Sequence, residues 1–135
     1  MKIIRYLLIA GLLIYFSGHF FSCQKDEDYR YFLVQVDSVY ISEPVRANQS
    51  FEVEFFGYIG HNGCYSFHEF IWEKQGQNIF VETWGKVSLK STICSDALVY
   101  LNGEKLKFLF EQPGSYKLSI KQPDGTFLEQ QFQVE

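Results

Sequence analysis

Past residue 23 the chain lacks any sustained helical period of apolar residues, which excludes a domain built on amphipathic helices. It lacks a visible internal repeat, which excludes a repeat architecture. It lacks a cluster of basic residues, and 12 basic side chains face 16 acidic ones, so nucleic acid and anionic lipid head groups are poor partners. It lacks a Gly-x-Ser-x-Gly turn or any other setting for a nucleophile, so neither an enzyme nor a cofactor is expected. Cysteine is scarce, with three in 135 residues. Aromatics are abundant instead: 14 Phe, 9 Tyr and 2 Trp, which excludes disorder over most of the chain.

The first stretch stands apart from the rest. Lys2 and Arg5 give a positive start, Tyr6 to Phe16 is almost unbroken apolar residue, and Phe20-Phe21-Ser22 leads into Cys23. That is the layout of a bacterial lipoprotein signal peptide over residues 1–22. A thiol placed directly after a small residue at the end of such a segment is open to alkylation by a diacylglycerol before cleavage. Cys23 is then the first residue of the exported protein and its membrane anchor. Two other readings stay open. An ordinary secretory signal fits Phe20 and Phe21 badly, and an uncleaved anchor must work with Arg5, Gly18 and His19 inside the roughly 20 apolar residues a spanning helix needs. Once Lys2 and Arg5 leave with the leader, 10 basic residues face 16 acidic ones and the charge is about −6. Residues 23–29 read as a charged tether, and 30–135 as a single domain large enough to bury a real core.

That domain reads as strands almost throughout. Tyr31 to Ile41 forms one extended run with Phe32, Val34 and Val36 on one side, broken by Pro44 to Gln49. Phe51, Val53 and Phe55 alternate with Glu52 and Glu54, as in a half-buried strand. Cys64 to Gln75 and Ile79 to Val87 predict a hairpin around Gly76-Gln77-Asn78. Leu98 to Phe110 reads as two short runs folded at Asn102-Gly103, the dipeptide that best tolerates positive φ in a tight turn. Tyr116 to Ile120 and Phe127 to Val134 flank the turn Pro123-Asp124-Gly125. The expected class is all-β, a sandwich of about seven strands.

With Cys23 assigned to lipid, Cys64 and Cys94 are left as a pair in a compartment where disulfides persist. Their bond would staple a Gly-rich loop. His61, Cys64, His68 and Cys94 also offer two nitrogen and two sulfur ligands for tetrahedral zinc, but the thiols would have to stay reduced, so no metal is expected. His68 and Glu69 are neighbours on a strand and should face opposite sides, which weakens any acid/base pairing. Trp72 and Trp84, on the two strands of the predicted hairpin with Tyr58, Tyr65 and Phe80 near them, could form a platform for a sugar or a partner's apolar surface. Most aromatics in a domain this small must nevertheless be core.

Three stretches resemble known families. Gln24-Lys25-Asp26-Glu27-Asp28 resembles the export signal of surface lipoproteins in the Bacteroidetes group, where Lys25, Asp26 and Glu27 would direct the protein to the outer membrane, facing the exterior. Pro113-Gly114-Ser115-Tyr116 resembles the entry to the last two strands of immunoglobulin-like bacterial domains. The resemblance implies that the Tyr116 hydroxyl ties a corner to backbone. Tyr58 to Phe67, with Gly60-His61-Asn62-Gly63-Cys64 and a second Cys some thirty residues on, is similar to a group of lipoproteins from the same bacteria, which brings no activity with it. The expected function is a non-catalytic, lipid-anchored binding or adhesion module for a glycan or protein. The alternative is an inhibitor or immunity-type lipoprotein that plugs a hydrolase with the Cys64 loop. The first should expose Trp72 or Trp84, the second a rigid His61-Asn62-Gly63 loop.

Overall fold

The computed structural model describes residues 28–135, and the leader, Cys23 and the Lys25-Asp26-Glu27 run lie outside the described residues. Eight strands follow one another: β1 (Tyr29–Leu33), β2 (Gln35–Ile41), β3 (Ser50–Gly60), β4 (Tyr65–Gln75), β5 (Asn78–Ser88), β6 (Val99–Leu109), β7 (Gly114–Lys121) and β8 (Phe127–Val134). They form two packed sheets, β2-β3-β6 and a five-stranded sheet in which β5 is flanked by β4 on one edge and by β1 and β7 on the other, with β8 beyond β7. This is the all-β sandwich that the strand pattern predicts, with eight strands where about seven are expected. Every strand pairing is antiparallel except β5 with β7, which is parallel.

The single run predicted over Tyr31 to Ile41 is two strands in two sheets. β1 pairs with β5 from Tyr29↔Ser88 to Leu33↔Trp84, and Val34 N–H still donates to Thr83 O at 2.8 Å. Further down that edge β7 holds Asn78 to Val81, so the chain has no edge left to follow. It crosses to the other sheet, where Gln35 pairs with Tyr58, and Val34 and Val36 stay buried on either side of the crossing. Tyr29, assigned to the tether by composition, is already in the sheet.

Asn102-Gly103 also behaves differently from its sequence signal. β6 runs straight through it, because both halves find partners on the eleven-residue β3: Phe55 opposes Glu104 and Phe56 opposes Asn102. Gly103, at φ +84°, is the extra residue of a bulge, a conformation glycine adopts without steric cost.

The sandwich interior is closed by aromatics. Phe110 lies flat on Tyr116 at 4.7 Å, Phe132 stacks beyond at 5.9 Å from Tyr116, and Phe51 and Phe108 complete the cluster from the other sheet. The Tyr116 hydroxyl donates to Gln112 O at 2.9 Å, so the tyrosine corner implied by Pro113-Gly114-Ser115-Tyr116 is present. Phe55, Val53, Ile79, Val81, Leu118 and Ile120 fill the centre.

One polar atom in that centre has no partner: Thr83 Oγ1 is fully buried and accepts or donates no hydrogen bond. An unpaired buried hydroxyl costs more than the methyl that would replace it. Thr83→Val is therefore expected to stabilise the domain by about 1 kcal/mol, measured as a melting temperature several degrees higher. An unchanged or lower Tm would mean that the hydroxyl finds a partner in solution.

Candidate binding surface

The β4–β5 hairpin decides where the tryptophans go. Its loop is two residues long, Gly76-Gln77, with Gln75 paired to Asn78 and Gly76 at φ +63°, which suits the first position of a type II′ turn. The three-residue loop read from sequence would pair Trp72 with Glu82 and put both tryptophans on one face. The true register pairs Trp72 with Val81 and Glu69 with Trp84. A slip of one residue reverses every side chain of a strand, so Trp72 and Trp84 lie on opposite faces of the sheet. Trp72 turns inward at the edge, its ring 5.0 Å from Phe108, and stays 43% exposed.

Two further members of the predicted platform also separate. Tyr58 sits on the outer face of the smaller sheet beside Tyr100 at 5.7 Å. Tyr65 packs inward on Phe32 at 5.7 Å, with the exposed His61 ring 5.0 Å away. Of the sequence-predicted platform of Trp72, Trp84, Tyr58, Tyr65 and Phe80, only Trp84 and Phe80 share the outer face of the larger sheet.

A different set of aromatics is assembled there. On β5 the odd residues Ile79, Val81, Thr83 and Val87 are buried, so Phe80, Glu82, Trp84 and Lys86 point outward. The outer face of the five-stranded sheet gathers Trp84 and Phe80 with Tyr31 from β1, Ile71 from β4 and Phe127 from β8; Tyr31, Ile71 and Phe127 are exposed. Phe80 and Phe127 meet edge-on at 6.3 Å. An open depression of about 350 Å³ is lined by Ile71, Trp72, Glu73, Phe80 and Glu82. Sequence reasoning missed Tyr31, Ile71, Glu82 and Phe127. The alternation on β5 carried the signal for Glu82, but the others come from strands that only the sheet brings together.

Polar groups on this face are held in place. Trp84 Nε1–H donates to Glu82 Oε2 at 3.0 Å, and Lys121 Nζ donates to Glu82 Oε1 at 2.7 Å. The Lys121 hydrogen bond is the largest influence on Glu82 and holds its carboxyl below the usual range; partial burial opposes it, while the Trp84 bond and the Lys121 charge assist. The expected opposition of His68 and Glu69 does not occur. A register shift between Phe67 and Glu69 leaves His68 as the bulged residue, so its Nε2 comes to 3.2 Å from Glu69 Oε1 while its ring lies 4.6 Å from Tyr31.

The Cys64–Cys94 disulfide is formed, with Cα atoms 5.3 Å apart. It ties the loop before β4 to the 89–98 loop, and Gly63 N–H donates to Ser95 O beside it. Asn62 Oδ1 accepts Cys64 N–H at 3.0 Å, so His61-Asn62-Gly63 is a braced loop.

Two measurements follow from these contacts. Because Glu82 is depressed in the folded state, its contribution is complete above the ordinary carboxylate value of 4.5 and is lost as pH falls through the lower folded value. Acid titration of Trp84 fluorescence should show a midpoint below 4.5, and Lys121→Met should move it upward. Separately, the Cys64→Ser/Cys94→Ser variant opens a loop closed over 30 residues and should lose about 3.5 kcal/mol, seen as a lower Tm with β-sheet circular dichroism kept.

The chain matches no protein-family model, no curated protein and no solved structure, so the reading of this surface rests on its own residues.

Proposed function

We propose that the chain is a lipid-anchored, outward-facing outer-membrane binding module of the Bacteroidetes surface-lipoprotein type, and that it engages a glycan through the outer face of its larger sheet. The observation that carries this is the exposure of Tyr31, Ile71 and Phe127 around a half-buried Trp84 on one sheet face. Apolar side chains on a solvent-facing sheet surface need a partner more than isolated ones do. Flat rings can lie against the apolar faces of sugar rings, and Glu82 and Lys121 supply an acceptor and a donor for the hydroxyls around them. The Glu82 bond to Nε1 fixes the Trp84 ring before any ligand arrives, which lowers the entropy lost on binding. Cys23 provides the anchor in this reading. Lys25, Asp26 and Glu27 provide the export signal.

The inhibitor reading keeps one observation in its favour, the braced His61-Asn62-Gly63 loop. That loop stands beside the start of β1, the end nearest the tether, where a plug would have to reach past the anchoring surface.

The test is electrophoresis of the exported chain through native gels containing soluble polysaccharides. At least one should retard it, and Trp84→Ala should weaken that retardation about tenfold, the loss of one stacked ring at about 1.4 kcal/mol. Retardation by none of them, or retardation indifferent to Trp84→Ala, would reject the glycan face. Stoichiometric inhibition of a hydrolase lost on His61→Ala would favour the plug.

A further inference from the structure

The loop joining β5 to β6, residues 89–98, carries apolar side chains that the fold does not use. Ile93 is 89% exposed, Leu89 60% and Leu98 59%, and of the ten residues only Cys94 is partly buried. Single exposed aliphatics need no explanation, but three in one connecting loop are a concentration of apolar surface where polar residues are the rule. The loop is also held in shape. Cys94 is bonded to Cys64, Ser95 O accepts Gly63 N–H at 2.8 Å, Ser91 N–H donates to Ser88 Oγ and Ser91 Oγ donates to Ile93 O.

Its position in the fold says what covers it. Leu89 N–H donates to Asp28 O at 2.8 Å, and Lys90 forms an ion pair with Asp28. Asp28 follows Cys23 by five residues, and five residues of fully extended chain span at most about 18 Å. The loop therefore lies at the end of the sandwich that a lipid on Cys23 would keep within reach of the bilayer. The opposite end, at the β4–β5 turn, is about 35 Å away along the eleven residues of β5.

We propose that the 89–98 loop is a membrane-docking element, with Leu89, Ile93 and Leu98 entering the interface of the phospholipid bilayer that holds Cys23. This rests on the reading of Cys23 as the lipidated residue. Docking is apolar, since Lys90 is already paired with Asp28 and the exported chain is acidic. The diacylglycerol on Cys23 already gives stable attachment, and insertion of aliphatic side chains a few ångströms into the interface adds buried apolar area that fixes how the domain sits on the bilayer. The sandwich then stands on its 89–98 end. The sheet face carrying Trp84 is presented sideways and clear of the bilayer, and the braced 61–64 loop is turned toward it.

The experiment supplies the anchor itself. With Cys64 bonded to Cys94, the exported chain has Cys23 as its single free thiol, which can be coupled to a maleimide-bearing lipid in phosphatidylcholine vesicles. An Ile93→Trp probe should be quenched about threefold or more when the acyl chains carry bromine, unaffected by high salt, whereas Glu111→Trp at the far end should not be quenched. An Ile93→Trp probe no more quenched than Glu111→Trp would overturn docking. Dimerisation of the uncoupled chain that is lost in Leu89→Ser/Ile93→Ser/Leu98→Ser would assign the loop to a second copy and equally overturn it. Metabolic labelling with an alkyne fatty acid decides the anchor by itself. An unlabelled Cys23 alongside a quenched Ile93→Trp probe would remove the lipid reading and keep the docking loop.

Discussion

The divided edge of β5 governs the rest of this molecule. β5 is hydrogen-bonded to β4 along one side, and along the other it must accept two strands in succession, β7 over Asn78 to Val81 and β1 over Trp84 to Ser88. Each claims only part of the edge, and this sharing makes the chain leave the large sheet at Val34 and enter the small one at Gln35. The crossing links the two sheets covalently just past the bond from Val34 N–H to Thr83 O, and it requires Gly85. A Cβ there would come within 3 Å of Phe32 and Val34 side-chain atoms.

From that arrangement the two surfaces of interest follow. With both edges of β5 occupied, its outward side chains sit at the centre of a broad sheet, where Trp84 has Glu69 on one flank and Leu33 on the other. A central position is where a ring and its hydrogen-bonded carboxylate are best held, since neighbours on every side restrict their rotamers. The upper end of the same strand, where β1 begins and β5 stops, gathers Asp28, the 89–98 loop and the disulfide. The aromatic sheet face and the end that holds Asp28 thus lie at right angles on one strand.

The energetic division of labour is equally plain. The aromatic cluster of Phe51, Phe108, Phe110, Tyr116 and Phe132 joins the sheets at the end far from the tether, while the Cys64–Cys94 bond secures the near end, where the loops bury little. The ion pairs on the sheet surfaces, such as Lys105 with Glu52 and Lys117 with Glu129, are exposed and add little to stability. Glu82 with Lys121 matters for a different reason, because it orients Trp84.

The sequence by itself determined the all-β class, the alternation on β3 and, with Cys23 set aside, the pairing of Cys64 with Cys94, while the tyrosine corner at Tyr116 was implied by a resemblance to immunoglobulin-like domains. Each of these is a local pattern or the arithmetic of a few residues, and local patterns survive any arrangement of the strands. Only the tertiary structure decided the faces of Trp72 and Trp84, the conversion of Asn102-Gly103 from turn to bulge, the meeting of His68 with Glu69, and the crossing at Val34. The first three depend on register, and the crossing depends on β7 occupying the rest of the β5 edge. Side-chain direction in a strand reverses with every residue, so one residue more or less in a turn, or one bulge, reassigns a whole face, and the choice between them is made by partner strands far away in sequence.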